Sequence, residues 1–251
     1  MKQVCVLGAG WLGLDFVKNL NLNELFQVYY TKRTATDLLS NAVFESFEVG
    51  QQLPEFVNKQ LDFLFLTISP GQVDFAELSM MLGQLKVCLS DECTLIFTST
   101  IGVYQDVDEV VTEESNYLKL DSKHVMFEYE LQKLFSSQLI ILRLGGLIDS
   151  KRHPVYYLSK KKEVENGQHP INLVHKDEIL NFFDCILNEN VPFGIYNLVN
   201  PSHPCKEQYY SDCAKQLGLP IPIFLKGSTQ GKIVDSQKSM QIEGFSYKSK
   251  I

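Results

Sequence analysis

Three closely spaced glycines near the start of the chain constrain its fold more than any other feature. Val4-Cys5-Val6-Leu7 is a short, unbroken apolar run, the pattern of a strand buried on both faces. It stops at Gly8-Ala9-Gly10-Trp11-Leu12-Gly13, and Leu12, Phe16 and Leu20 then recur at helical spacing. A strand, a tight glycine turn and a helix in immediate succession leave little room for another arrangement. Gly8 permits the turn off the strand, Gly10 keeps the backbone bare at the turn, and Gly13 lets the helix lie close on the sheet. The helix N-terminus then faces out of the turn with its amide groups and its positive dipole end.

The rest of the chain repeats the alternation. Phe26 to Tyr30 reads as a second strand, Leu61 to Thr67 as a third and Thr94 to Thr98 as a fourth. Helical patterns fill Phe75 to Cys88 and Leu120 to Leu134, and Leu139 to Leu144 is a strand ending at Gly145-Gly146. Strands alternating with helices make an α/β fold, a Rossmann-type doubly wound parallel sheet with helices on both faces. Beyond Gly146 the pattern loosens to a helix near Glu178 to Leu187, a strand at Ile195 to Val199 and a helix at Lys206 to Leu217. The expected organisation is a dinucleotide-binding core over 1–146 and a small substrate lobe over 147–251, with 170–200 returning to the core.

The Gly-x-Gly-x-x-Gly loop between strand and helix predicts a dinucleotide cofactor, with Gly8, Gly10, Trp11, Leu12 and Gly13 around its pyrophosphate. Domains that take NAD carry Asp or Glu about 20 residues past the loop. Here the second strand runs into Thr31-Lys32-Arg33, and no carboxylate follows until Asp37. An acid would repel a 2′-phosphate, whereas Lys32 or Arg33 could pair with one, so NADP(H) is favoured over NAD(H). Thr67 and Ser69, closing the third strand, and Thr98, closing the fourth, are further candidate cofactor contacts.

Composition excludes several other classes. A formal charge of −7 gives no basic face for nucleic acid or an anionic membrane. The one basic run, Lys160-Lys161-Lys162, is followed at once by Glu163 and Glu165, as on a solvated surface. Six cysteines show no CxxC pair and no zinc spacing, and no histidine–cysteine grouping suggests a metal. The longest apolar run, near Leu61 to Ile68, falls far short of the ~20 residues that span a bilayer. A reduced, cytoplasmic protein acting on a small molecule is expected.

Four later segments, together with the glycine loop, resemble the extended short-chain dehydrogenases/reductases, the NAD-dependent epimerase/dehydratase group. They are Thr98-Ser99-Thr100-Ile101-Gly102-Val103-Tyr104, Leu142-Arg143-Leu144-Gly145-Gly146-Leu147 with Arg152-His153-Pro154, Asn172 to Glu178, and Gly194 to Val199. The resemblance covers the chain to about position 217. It implies a nucleotide-cofactor fold with substrate held between core and C-terminal lobe. It also implies catalysis by a Ser/Thr and a Tyr-x-x-x-Lys pair one helical turn apart, the Lys lowering the phenol's pKa.

Thr100, four residues before Tyr104, matches the Ser/Thr position. The pair itself is replaced: aligning Glu128 with the family's acid puts His124 at the Lys position and Leu120 at the Tyr position. Tyr129 and Lys133 have the right spacing but fall too late on the helix, and Gly-x-Gly-x-x-Gly replaces the family's Gly-x-x-Gly-x-x-Gly. These departures mark an atypical branch. Thr100 and His124 are the catalytic candidates, with an unassigned group or an ordered water as alternatives to His124. Tyr104, Arg152 and His153 are the substrate candidates, with Tyr104 read as packing or a wall of the nicotinamide pocket and not as an acid, and His175 is read as a turn or helix cap. Two functions remain open: an NADP(H)-binding oxidoreductase or epimerase/dehydratase-like enzyme, or a non-catalytic NADP(H)-binding redox sensor or scaffold.

Overall fold

The computed structural model describes residues 1–34, 39–227 and 230–251. In chain order the elements are β1 (Lys2–Leu7), α1 (Trp11–Asn21), β2 (Phe26–Lys32), β3 (Ala42–Ser46), β4 (Phe63–Leu66), α2 (Phe75–Cys88), β5 (Thr94–Thr100), β6 (Val110–Val111), α3 (Lys123–Phe135), β7 (Leu139–Leu144) and β8 (Gly146–Ile148). They continue as α4 (Val155–Leu158), β9 (Leu173–His175), α5 (Lys176–Leu187), β10 (Gly194–Leu198), α6 (Lys206–Gln216), β11 (Ile233–Val234) and α7 (Gln237–Met240).

Seven strands form one parallel sheet in the order β10-β7-β5-β4-β1-β2-β3. The order runs outward from β1 in both directions, so the chain reverses beside β1, which is the arrangement of a Rossmann-type fold. The register fixes the faces: Cys5 pairs with Tyr29 and Leu64, and Leu64 with Leu95. Alternation therefore places Cys5, Leu7, Leu64, Leu66, Leu95 and Phe97 in one buried cluster with Leu78, Leu82 and Leu85 of α2 and Phe127 and Leu131 of α3. On the opposite face Phe16 of α1 meets Phe65 of β4, their ring centroids 4.6 Å apart.

Two compact units can be told apart. The first comprises Met1–Val103, Lys119–Leu142 and Pro192–Ile195. The second comprises Tyr104–Leu118, Arg143–Val191 and Tyr196–Ile251. The stretch Tyr104–Leu118, read from sequence as part of the N-terminal core, thus groups with the second. Within that second unit, β8 pairs with β9 and β6 with β11, both parallel. An apolar cluster gathers Ile148, Val155, Ile171, Leu173, Tyr210 and Ala214. Among the described residues, no helix is long and apolar enough to cross a membrane.

Candidate cofactor site

The glycine turn is built from β1 outward. Gly8 leaves the strand at φ +93°, a left-handed conformation that a side chain resists. A Cβ there would also stand 2.6 Å from Ile68 Cγ1. At Gly13 a Cβ would meet Thr67 Oγ1 at 3.0 Å and Val6 Cγ1 at 3.1 Å, so this glycine sets how closely α1 packs on the sheet. Gly10 is different. The nearest atom to a Cβ there is the Gly8 carbonyl oxygen at 3.9 Å, so the space in front of it is open. Gly10 is the N-cap of α1, and no side chain caps that helix. A bare turn with open space before an uncapped helix N-terminus is a cradle into which a phosphate fits.

Strand ends hold the turn. Thr31 Oγ1 accepts the Gly8 N–H at 2.8 Å, and the Ala9 N–H reaches the Thr31 carbonyl at 2.7 Å. Thr67 Oγ1 donates to the Gly8 carbonyl at 2.8 Å. Beside the turn opens a cavity of about 780 Å³. Its walls include Gly8, Ala9 and Gly10 from the turn, Lys32, Arg33 and Thr34 from the end of β2 onward, Glu48 to Gln51 after β3, Thr67 to Ser69 after β4, and Asp74 and Glu77 at the start of α2. The volume lies within the range of small-molecule sites.

The structure thus brings Gly8, Gly10, Lys32, Arg33, Thr67 and Ser69 around one cavity. Trp11, Leu12 and Gly13 form the first turn of α1 behind it, where the Leu12 side chain is buried in the core. Thr31 calls for a correction. Its side chain is fully buried and bonded to Gly8, so it braces the turn and offers no face to a ligand. Asp37 lies outside the described residues. Thr98 Oγ1 makes only a long 3.5 Å contact to the Leu66 carbonyl.

The catalytic candidates lie in the same unit. Thr100 Oγ1 accepts the Gly102 N–H at 3.0 Å and shapes the turn that ends β5. His124, in the first turn of α3, is half-buried, and its Cε1 would lie 3.3 Å from a Cβ at Gly71. The imidazole therefore rests on the Pro70–Gln72 turn that continues into the cavity wall. Beside it, Lys123 Nζ donates to the Val73 carbonyl at 2.7 Å. Burial lowers the His124 pKa, with Glu128 pushing the other way. Glu128 is itself buried and accepts a hydrogen bond from Ser99. Leu120, at the expected Tyr position, is 76% exposed, and Tyr129 is 67% exposed.

The substrate candidates belong to the second unit, and two of them need correction. Tyr104 is fully buried. Its hydroxyl donates to Asn197 Oδ1 at 2.8 Å and accepts from Arg143 at 2.9 Å, which leaves no face for a substrate. Burial raises its pKa despite that cation. His153 has both ring nitrogens engaged: Nδ1 accepts the Val155 N–H at 3.2 Å, and Nε2 pairs with the Tyr209 hydroxyl at 3.0 Å. Its pKa is lowered by burial. It holds the start of α4 instead of standing ready for a ligand. Arg152 is exposed, its backbone N–H held by Asp149. Asp149 in turn pairs with Lys176 at 2.6 Å; burial alone would raise that carboxyl, but Lys176 and two backbone amides hold it at about 2. His175 caps α5 by accepting the Asp177 N–H, and Glu178 completes a capping box.

Sequence reasoning missed Glu48, Gln51, Asp74 and Glu77 as cavity residues. The segment after β3 carries no periodic signal, because β3 is a short edge strand paired only with β2. A lone signal was available at Asp74, an N-cap residue before the apolar pattern of α2, whose carboxylate accepts the Ala76 N–H at 2.8 Å.

Comparison with known proteins agrees with this geometry. No family model matches the chain. Protein YeeZ of Escherichia coli strain K12 is 29% identical over 266 aligned positions, which take in 98% of this chain and 96% of that protein. Among solved structures, a putative NAD-dependent epimerase/dehydratase from Methylobacillus flagellatus matches with a TM-score of 0.77 at 18% identity, covering 95% of this chain and 90% of that one. UDP-glucuronic acid 4-epimerase from Bacillus cereus, solved in complex with NAD, matches at 0.75 and 16%, covering 99% and 94%. MoeE5, in complex with UDP-glucuronic acid and NAD, matches at 0.77 and 16%, again covering 99% and 94%. The chain thus shares the Rossmann-type fold of these solved NAD-dependent epimerase/dehydratase-like proteins.

Proposed function

We propose that this chain is an enzyme that binds a nicotinamide dinucleotide in the first unit and carries out epimerase/dehydratase-like or reductase chemistry on a small molecule. The observation that carries the reading is the braced, uncapped glycine turn opening on a cavity of about 780 Å³. Gly10 and the first turn of α1 would hold the pyrophosphate, and Thr67 and Ser69 would line its path. When bound, the nicotinamide supplies a hydride acceptor or donor. NAD is the cofactor bound in the solved structures of MoeE5 and the Bacillus cereus epimerase. Of the two cofactors, NADP(H) is our reading for this chain, because Lys32 and Arg33 stand at the end of β2 on the cavity wall and can pair with a 2′-phosphate.

The chain's own residues divide the remaining work. Thr100 orients the reacting group, and His124 takes or returns a proton in place of the absent phenol. A second reading, a cofactor-binding protein without turnover, draws support from exposed Leu120 where the family places its Tyr.

Titration with NADPH and NADH in parallel, followed by the emission of the single tryptophan, Trp11, tests the cofactor reading. Saturable binding with NADPH tighter than NADH is expected, with Arg33→Ser removing the difference and leaving NADH affinity in place. If neither cofactor binds, the reading fails. Binding of both without turnover across a broad substrate screen would favour the second reading.

A further inference from the structure

Most of the polar groups around the cavity are exposed and could meet a ligand directly. Thr31 is the exception. Its side chain is fully buried, yet it carries a hydroxyl near the end of β2, whose other buried residues are Val28, Tyr29 and Tyr30. A valine of the same shape would satisfy β2's burial equally well. What the hydroxyl adds is one bond, to the Gly8 N–H at 2.8 Å.

The other backbone polar group of the same glycine is held in the same way. Thr67, at the end of β4, donates its hydroxyl to the Gly8 carbonyl at 2.8 Å. Two hydroxyls, from the strands on either side of β1, thus grip the N–H and the C=O of one glycine in a left-handed conformation. The backbone of Thr31 adds a third tie, accepting the Ala9 N–H at 2.7 Å. Because Lys32 and Arg33 directly follow Thr31, the brace also fixes the turn relative to the two cations.

Building on the cofactor reading above, we propose that Thr31 and Thr67 are positioning residues that preset the glycine turn for the cofactor's pyrophosphate. A turn of three glycines and one alanine in six residues has many conformations available in the absence of ligand. Only the fraction in the binding geometry counts toward affinity, so the apparent dissociation constant rises as that fraction falls. Thr31→Val keeps the shape of the buried side chain and deletes the acceptor of the Gly8 N–H. Thr67→Val deletes the donor to its carbonyl. Thr31→Val loosens the turn from a position that does not line the cavity, and Thr67→Val loosens it from the cavity wall, so each weakens NADPH and NADH alike, about tenfold for the loss of one such bond.

The test is calorimetric titration of the full chain with NADPH and with NADH, for wild type, Thr31→Val, Thr31→Ser, Thr67→Val and Arg33→Ser. Thr31→Val and Thr67→Val should each lose about tenfold toward both cofactors. Thr31→Ser, which restores the hydroxyl, should return affinity to within about twofold of wild type. Arg33→Ser should affect NADPH alone. Wild-type protein that binds neither cofactor defeats the cofactor reading itself. Wild-type protein that binds, with both valine variants within about twofold of it, overturns the brace. So does Thr31→Ser binding as weakly as Thr31→Val, since the buried shape would then be what counts. Should Thr31→Val fail to fold, half-buried Thr67 with its own serine rescue decides the question.

Discussion

Gly8 and Gly10 are two residues apart in one motif, yet the structure assigns them opposite liabilities, and substituting each by alanine separates fold from ligand binding. At Gly8 a methyl group faces two penalties. The backbone sits at φ +93°, which costs an L-residue about 1–2 kcal/mol. The new Cβ would also stand 2.6 Å from Ile68 Cγ1 and 3.3 Å from the Ile68 nitrogen. Relieving an overpacked contact of that kind costs about 1–3 kcal/mol, and the backbone nitrogen limits how far Ile68 can retreat. Gly8→Ala should therefore destabilise the protein by about 2–5 kcal/mol, a fall in Tm of roughly 5–15 °C for a chain of this size.

Gly10 lies at φ −80°, outside the left-handed region, and nothing stands closer than 3.9 Å to the new methyl. Gly10→Ala should cost no more than about 1 kcal/mol of stability, the cost of alanine in place of glycine at an N-cap. Its methyl instead fills the open space in front of the helix N-terminus, so NADPH affinity should drop by tenfold or more, about 1.4 kcal/mol. Thermal unfolding by circular dichroism reads the first quantity. Titration calorimetry reads the second, in preference to Trp11 emission, because the substitution adjoins the fluorophore. Two results would refute the reasoning: Gly8→Ala melting with wild type, or Gly10→Ala binding NADPH as wild type does.

Glu178 is buried and accepts from the backbone amides of His175, Lys248 and Ser249 and from Asn200 Nδ2. Glu178→Gln should cost about 1.5–3 kcal/mol in urea unfolding and open residues 248–251 to a carboxypeptidase; an unchanged midpoint would mean the tail is held elsewhere. The lowered pKa values of His124 and His153, both caused by burial, carry a defined sign. Each contributes stability that is complete above the unfolded value near 6.5 and is lost as pH falls from there through the folded value. Tm should thus decline below pH ~6.5, and His153→Asn, which removes one of the two groups, should flatten part of that decline. On any substrate the protein turns over, His124→Gln should lower kcat/KM by about a hundredfold and abolish its acid limb. An unaltered pH profile would remove His124 from the proton transfer.

What the sequence disclosed follows from where its signals come from. The first strand, the glycine turn and α1 were legible because a buried strand, positive-φ glycine and helical spacing each constrain residue type strongly. The helix over Phe75–Cys88 and the strand over Leu139–Leu144 coincide with the residues expected. β3 escaped because Ala42–Ser46 is a mostly solvent-facing edge strand with no apolar alternation. The cavity wall it leads into escaped with it. Tyr104 misled for a different reason. A tyrosine beside a candidate catalytic threonine reads as a site residue, but two partners far along the chain decide its fate. Asn197 binds its hydroxyl and Arg143 both bonds the hydroxyl and lies over the ring at 5.0 Å, while Glu113 fixes the Asn197 backbone at 2.7 Å. No local pattern encodes an arrangement spread over ninety residues.

The presence of NAD in structural neighbours and of two cations in this cavity are statements about different parts of the molecule. On the proposed reading, the turn off β1 and the helix N-terminus recognise a pyrophosphate whichever cofactor carries it. The choice between cofactors then falls to Lys32 at the end of β2 and Arg33 just past it. Here the wall is electrically divided. Lys32 and Arg33 stand at the end of β2, whereas Asp74 and Glu77 stand at the start of α2. The Asp74 carboxylate caps that helix by accepting the Ala76 N–H, which keeps its charge beside the cavity as an anion approaches. A 2′-phosphate directed toward α2 would meet fixed negative charge, at a cost of a few kcal/mol for unit charges 4 Å apart in a partly wet site. Directed toward β2, it meets the guanidinium of Arg33, whose planar donors match a phosphate and whose backbone carbonyl is pinned by Ser46 at 3.0 Å. On the proposed reading the same charge distribution therefore fixes which cofactor binds and which way round it lies.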